Sequence, residues 1–157
     1  MFRNIQNGKE FSREVNEEAQ ALRQVLATKL PDFIVDKAQH IVDESFMKEQ
    51  YQDGKSDKWK GRSKDKEAAN ERSDRRALLV KGGSLIKSVE AERRGTDIVI
   101  GTDVPYAQVH NEGLRSGRGS GFQMPQRQFM PKPGESNEEL DRMVDKFIDD
   151  EMDKIFK

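Results

Sequence analysis

The sequence predicts an α+β fold, a small antiparallel sheet packed by N-terminal and C-terminal amphipathic helices. Three observations carry that reading. Apolar residues recur at steps of three and four from Phe11 to Leu30 and again from Leu140 onward. Two short runs, the second holding Val99 and Ile100, flank the glycine-bearing turn Gly95-Thr96. Glycine and proline punctuate the chain between these stretches. The 157 residues suit one ordinary domain. Within 1–157 they divide into a helical N-terminal part (1–50), a charged arm (51–76), a sheet region (77–131) with a glycine-rich loop at 114–123, and a C-terminal helix (136–157).

In the first helix Phe11, Val15, Ala19, Leu22, Leu26 and Leu30 form one stripe, with Glu14, Glu17, Glu18 and Arg23 outside it. Core packing is the expected use of that stripe. Pro31 cannot continue a helix without losing a hydrogen bond but is well placed to begin one, so a break precedes a second helix over 32–50. Its buried face is expected to hold Phe33, Ile34, Ala38, Ile41, Val42 and Phe46.

From residue 51 the composition changes. Asp53-Gly54 signals a turn, and Lys55, Lys58, Lys60, Arg62, Lys64, Lys66, Arg72, Arg75 and Arg76 interleave with fewer acids around the single Trp59. Such a segment cannot bury a face, so an extended arm is expected, with Trp59 anchoring it to the core or stacking on a partner. Core anchoring is the commoner use of a lone tryptophan.

Leu78, Leu79 and Val80, the Gly82-Gly83 pair, and Leu85, Ile86 and Val89 make an apolar patch that leads through a short helix or turn into strand. The hairpin follows over 88–93 and 97–101. Residues 104–111 suit two turns of helix, with Asp103 as N-cap, Pro105 at an early position and Gly113 just past the end. Order is expected to lapse over 114–123, where Gly117, Gly119 and Gly121 raise the entropic cost of a fixed backbone. A strand is expected over 127–130. The last helix opens on Ser136 and Glu139 as a capping box, and Leu140, Met143, Val144, Phe147, Ile148, Met152, Ile155 and Phe156 hold one face.

Composition narrows the function classes. Apolar residues make up 33% of the chain and charged residues 36%, a thin core for a lone subunit and a better match to one that completes its burial against neighbours. Lys and Arg number 28 against 29 for Asp and Glu, so no whole-molecule field gathers nucleic acid or an anionic membrane. Any DNA contact is therefore local, carried by residues 55–76 with Arg115 and Arg118. The absence of cysteine excludes disulfides and thiolate chemistry and fits a reducing cytoplasm. Neither a signal peptide nor a run of about 20 apolar residues is present, so a soluble product is expected, with no membrane partner.

Chemistry-bearing constellations are weak. His40 and His110 are the only imidazoles and lack a nearby acidic cluster at metal-ligand spacing, so neither a metal nor a cofactor is expected. A triad of His110, Asp103 and a serine can be drawn, but no serine sits in a G-x-S-x-G elbow. The glycines of 114–123 do not follow a strand and open a helix, which rules out a phosphate cradle. No catalytic residue is assigned, and the chain is expected not to be an enzyme.

Several motifs occur in order: Phe46, Gly54 and Trp59; Leu79 and then Gly83 to Val89; Val99-Ile100-Gly101; Val104 to Gly113, with its Tyr-Ala-x-x-His-x-x-Gly run; and Met124 to Met130, with its Pro-x-Arg-x-Phe run. In order and spacing they resemble the virion-morphogenesis, or tail-completion, family of Mu-like and related tailed phages and prophages, from about Ile34 to the C-terminus. Gln128 stands where that pattern has proline, and the first helix extends the N-terminus. The resemblance implies a structural α+β subunit that forms a ring or collar between portal and tail, in the virion or in the bacterial cytoplasm during assembly. Its expected partners are copies of itself, joined in solution or only on a template, and portal, connector and tail proteins, with a local contact to threaded DNA. Trp59, Arg72, Arg75, Arg76, Tyr106, His110, Asn111, Arg127 and Phe129 are the candidate interaction or scaffold residues. The basic arm is expected to reach a neighbour's Glu138, Glu139, Asp141, Asp145, Asp149 and Asp150. The alternative is a nucleic-acid-binding module.

Overall fold

The structure is a computed structural model and describes residues 8–61 and 77–156. Helix α1 (Gly8–Gln24) runs through a π-helical turn (Val25–Lys29) directly into α2 (Leu30–Lys48). The break expected at Pro31 is thus a change of winding rather than an interruption. Pro31 lies in the first turn of α2, the Leu30 N–H reaches back to the Val25 carbonyl, and Arg93 Nη1 takes the Ala27 carbonyl at 3.3 Å. A proline ring collides with the carbonyl four residues before it, and the wider π turn makes room for it.

The core expected beneath α1 is not there. No residue of α1 is buried, and Phe11, Val15 and Leu26 are 48%, 44% and 45% exposed, while Val25 alone turns inward. The face of α2 does go inside, through Ala38, Ile41, Val42, Ser45 and Phe46, with Phe33 and Ile34 half-buried. The helix ends at Glu49, which turns left-handed at φ +52°.

Residues 51–61 belong to the body of the molecule and not to an arm. Tyr51, Asp53 and Trp59 are buried. Asp53 closes the turn by accepting from the Lys55 and Ser56 N–H groups at 3.0 and 2.7 Å and from Ser56 Oγ at 2.7 Å. The Trp59 N–H reaches the Glu49 carbonyl, and Glu49 Oε1 accepts from the Leu78 N–H, both at 2.6 Å. The remainder of the expected arm, with Arg72, Arg75 and Arg76, lies outside the described residues.

A 3-10 turn (Lys81–Gly83) and a short helix α3 (Ser84–Ser88) lead into the hairpin of β1 (Glu90–Arg94) and β2 (Asp97–Gly101). The strands pair antiparallel from Glu90 opposite Gly101 to Arg94 opposite Asp97, closed by Gly95-Thr96 with Gly95 at φ +66°. Helix α2 covers the far edge of β1 with one side chain: Gln39 Oε1 accepts from the Ala91 N–H at 2.9 Å and Gln39 Nε2 donates to the Val89 carbonyl at 3.2 Å.

Helix α4 (Ala107–Glu112) starts later than expected. Tyr106, not Asp103, is at its N-cap, without a side-chain cap, and it ends on left-handed Gly113 as the spacing predicts. The glycine-rich loop is closed by a second small ladder, β3 (Arg115–Ser116) against β4 (Phe122–Gln123). No strand forms over 127–130, because its backbone donors are taken from α4: Arg127 N–H by the His110 carbonyl, and Phe129 and Met130 N–H by the Asn111 side chain. Helix α5 (Glu138–Ile155) is capped by Asn137, which accepts from the Leu140 N–H at 2.9 Å, rather than by Ser136. Asn137 wins because its amide also ties the helix start to Tyr51 Oη and the Gln52 carbonyl, each at 3.0 Å. Glu139, the expected partner in the box, pairs with Arg142.

The described chain thus combines helices with small antiparallel pairings, the α+β class expected. The core is Val42, Phe46, Trp59, Leu78, Leu85, Val89, Ala107 and Phe129.

Candidate functional site

The motif residues Trp59, Asn111, Arg127 and Phe129 come together from three distant stretches of chain. Phe129 is fully buried with its ring 4.9 Å from that of Phe46, and Trp59 meets Phe46 edge-on at 5.7 Å. Trp59 Nε1 donates to the Gln128 carbonyl at 2.8 Å. Trp59 is therefore a core anchor of its own chain, not a side chain held out to a neighbour. Arg127, also buried, donates from Nε to the Lys60 carbonyl at 3.0 Å and from Nη2 to the Gly61 carbonyl at 3.3 Å. A planar guanidinium suits two adjacent carbonyls, and here it holds the backbone of Lys60 and Gly61 against the core.

His110 joins that node through its backbone carbonyl, which accepts from the Arg127 N–H at 2.8 Å, while its ring turns toward Tyr106. Their rings meet edge-on at 6.0 Å, and Tyr106 is 47% exposed. Burial, and then the nearby Arg127 charge, hold the imidazole below its ordinary range, which favours the neutral form. His110 Nδ1 is buried and, among the described residues, has no hydrogen-bond partner. Asp103 is exposed, and Ser88 Oγ pairs instead with Thr102 Oγ1 at 2.6 Å. The residues of the imagined triad are not joined by hydrogen bonds. Among the described residues, no group of three or more His, Asp or Glu is placed to hold a metal ion.

The surface is more informative than the interior. Phe11 and Val15 of α1 and Leu26 of the π turn are exposed apolar side chains on one stripe, and the end of α5 adds Met152 and Phe156 at 41% and 50% exposure. Helix α5 packs on α2, where Phe33 stacks on Phe147 at 4.3 Å. Of the acids expected to face a neighbour, Glu138 pairs within the chain with Lys55 at 2.6 Å and Glu139 with Arg142. Asp141, Asp145, Asp149 and Asp150 remain exposed.

A model of the phage virion morphogenesis family matches residues 9–153. The chain belongs to the phage virion morphogenesis family. Its place is therefore in virion assembly, and the resemblance read from the Tyr106 and Arg127 motifs holds over nearly the whole chain. A curated relative, the Mu-like prophage FluMu G protein 2 of Haemophilus influenzae, is 35% identical over 52 residues, which is 33% of this chain and 38% of the relative. The match thus covers well under half of the relative's length. No solved structure matches the chain significantly. Among the described residues, no helix is long and apolar enough to cross a membrane.

Sequence reasoning missed Gln39, Glu49 and Asn137. Asn137 had a visible signal, since asparagine is as good an N-cap as serine. Gln39 and Glu49 had none, because their partners lie far along the chain.

Proposed function

We propose that this protein completes the tail or joins head to tail by packing against copies of itself and against portal and tail proteins, without a catalytic step. One observation carries this reading: Phe11 and Val15 of α1 and Leu26 of the π turn are left largely in water by their own chain, while Ala19, Leu22 and Leu30 of the same stripe are half-buried. A 17-residue helix with no buried side chain gains little from tertiary packing, the main source of helix stability in proteins. A neighbour that covers Phe11, Val15 and Leu26 supplies what the chain lacks. Head-to-tail packing needs two different complementary surfaces, and the basic residues Arg72, Arg75 and Arg76 against the acidic face of α5 provide a second, electrostatic pair.

The test is complementation of a phage or prophage lacking this gene. Replacing Phe11, Val15 and Leu26 with serine is expected to leave the melting temperature of the purified chain nearly unchanged and to yield heads and tails that fail to join. Normal yields of infectious particles would remove the assignment of α1. Exchanging Arg72, Arg75 and Arg76 for glutamate is expected to weaken assembly and its salt dependence. Salt-sensitive duplex binding by the wild-type chain, lost in this variant while particles still assemble, would favour a nucleic-acid-binding module instead.

A further inference from the structure

The two edges of the β1–β2 hairpin are treated differently. Gln39 bonds the outward groups of Val89 and Ala91, so residues 89, 91 and 93 point away from β2, and Glu90, Glu92 and Arg94 carry the ladder. Their partners Gly101, Val99 and Asp97 point inward. Hence the N–H and carbonyl groups of Ile98 and Ile100 point out from the free edge of β2. Among the described residues no strand pairs there and no backbone bond from those groups is formed.

Exposed edges are normally blunted by shortness, proline, charged side chains, a bulge or a covering helix or loop. Between Asp97 and Gly101 there is no proline, lysine or bulge, and the edge opens onto a cleft of about 510 Å³ with Ile98 to Ile100 on one side and Glu112, Met130 and Lys132 on the other. We propose that this edge is a self-association surface, on which β2 of a second copy pairs antiparallel about a two-fold axis through Val99.

Register follows from the hydrogen-bonding groups. Centred on Val99, Ile98 lies opposite Ile100 of the second copy and the reverse, so both outward residues bond twice and Asp97 faces a glycine. Centred on Ile100 or on Ile98, the other outward residue would face Thr102 or Thr96 of the second copy, both outside β2, and would lose its strand partner. In the Val99 register the two Val99 side chains form the close, non-hydrogen-bonded pair on the outer face. The joined hairpins make a four-stranded sheet. The contact is isologous and so distinct from any head-to-tail contact. It does not rest on the tail-completion reading.

The test uses the full chain. Light scattering is expected to show a concentration-dependent dimer for the wild type. Val99→Lys and Val99→Asp are each expected to weaken that dimer at least tenfold, and an equal mixture of the two to restore it. Dimerisation of either single variant with wild-type strength overturns the proposal, as does a wild-type monomer across the accessible concentration range. Amide exchange on the wild type serves where a variant fails to fold. The Ile98 and Ile100 N–H groups become protected as concentration rises, and fast, concentration-independent exchange overturns the proposal. Exchanging Arg72, Arg75 and Arg76 for glutamate leaves this dimer intact, so its failure and a failure of the ring reading are told apart.

Discussion

Asn111 Oδ1 accepts from the backbone N–H groups of both Phe129 and Met130, at 2.9 and 3.1 Å, while Asn111 Nδ2 donates to the Met130 carbonyl at 3.2 Å. One side chain of α4 thereby stands in for a strand partner and pins the most buried aromatic of the core. Asn111→Ala strands two backbone donors, at about 1–3 kcal/mol each when buried. The expected loss is about 3 kcal/mol in urea unfolding. Asn111→Asp keeps the acceptor but loses the donor, and is expected to fall between the two.

Trp59 is the only tryptophan, and it is 8% exposed. Its emission is expected to be blue-shifted in the folded protein and to move red on unfolding. Trp59→Phe keeps the contact with Phe46 but deletes the bond to the Gln128 carbonyl, for an expected loss of about 1–2 kcal/mol from a stranded acceptor. Trp59→Ala adds a cavity and is expected to cost about 3–5 kcal/mol. A Trp59→Phe variant as stable as the wild type would mean that the indole N–H contributes nothing.

These two residues also show what the sequence could disclose. The motifs around Trp59, Asn111 and Phe129 were visible as a set, and the hairpin turn at Gly95 and the helix stop at Gly113 follow from backbone rules that act over a few residues. What they bond to was not visible. A strand was expected over 127–130 because local pattern cannot tell a ladder from a side chain that takes the same donors. The α1 stripe misled for another reason: amphipathic spacing puts apolar residues on one face and does not say how deeply the chain itself buries that face. Pro31 read as a break because the π turn and the Arg93 guanidinium that accommodate it are set by tertiary contact.

Tyr51 links the end of α2 to the start of α5 through the Asn137 amide. Burial pushes its phenol up to about 12 from an ordinary 10.0, since the charged phenolate loses water on folding. A folded-state pKa raised above the unfolded one gives stability that is complete below about pH 10 and lost as pH rises toward 12. Tyr51→Phe cannot titrate. The urea midpoint of the wild type is expected to fall more steeply with alkaline pH than that of Tyr51→Phe, and parallel slopes would contradict this burial of the phenol.

Glu151 is the one buried residue of α5, and it joins that helix to the π turn through Lys29 at 2.8 Å as well as to Lys154 at 2.5 Å. Hydrogen bonds from Lys154 and then Lys29 hold its carboxyl below the ordinary 4.5. For an acid depressed in the folded state, the stabilisation is present above the unfolded pKa and is lost as pH falls through the folded one. Glu151→Gln keeps the shape and removes the charge. The wild type is therefore expected to be the more stable protein at pH 7, with its advantage shrinking once the pH drops below about 4.5. Lys29→Met should reproduce part of this change, because it deletes one of the two cations and leaves the other. A wild-type advantage that stays constant from neutral to acid pH would place the role of Glu151 in packing rather than in charge, and the tie between α5 and the π turn would then not be ionic.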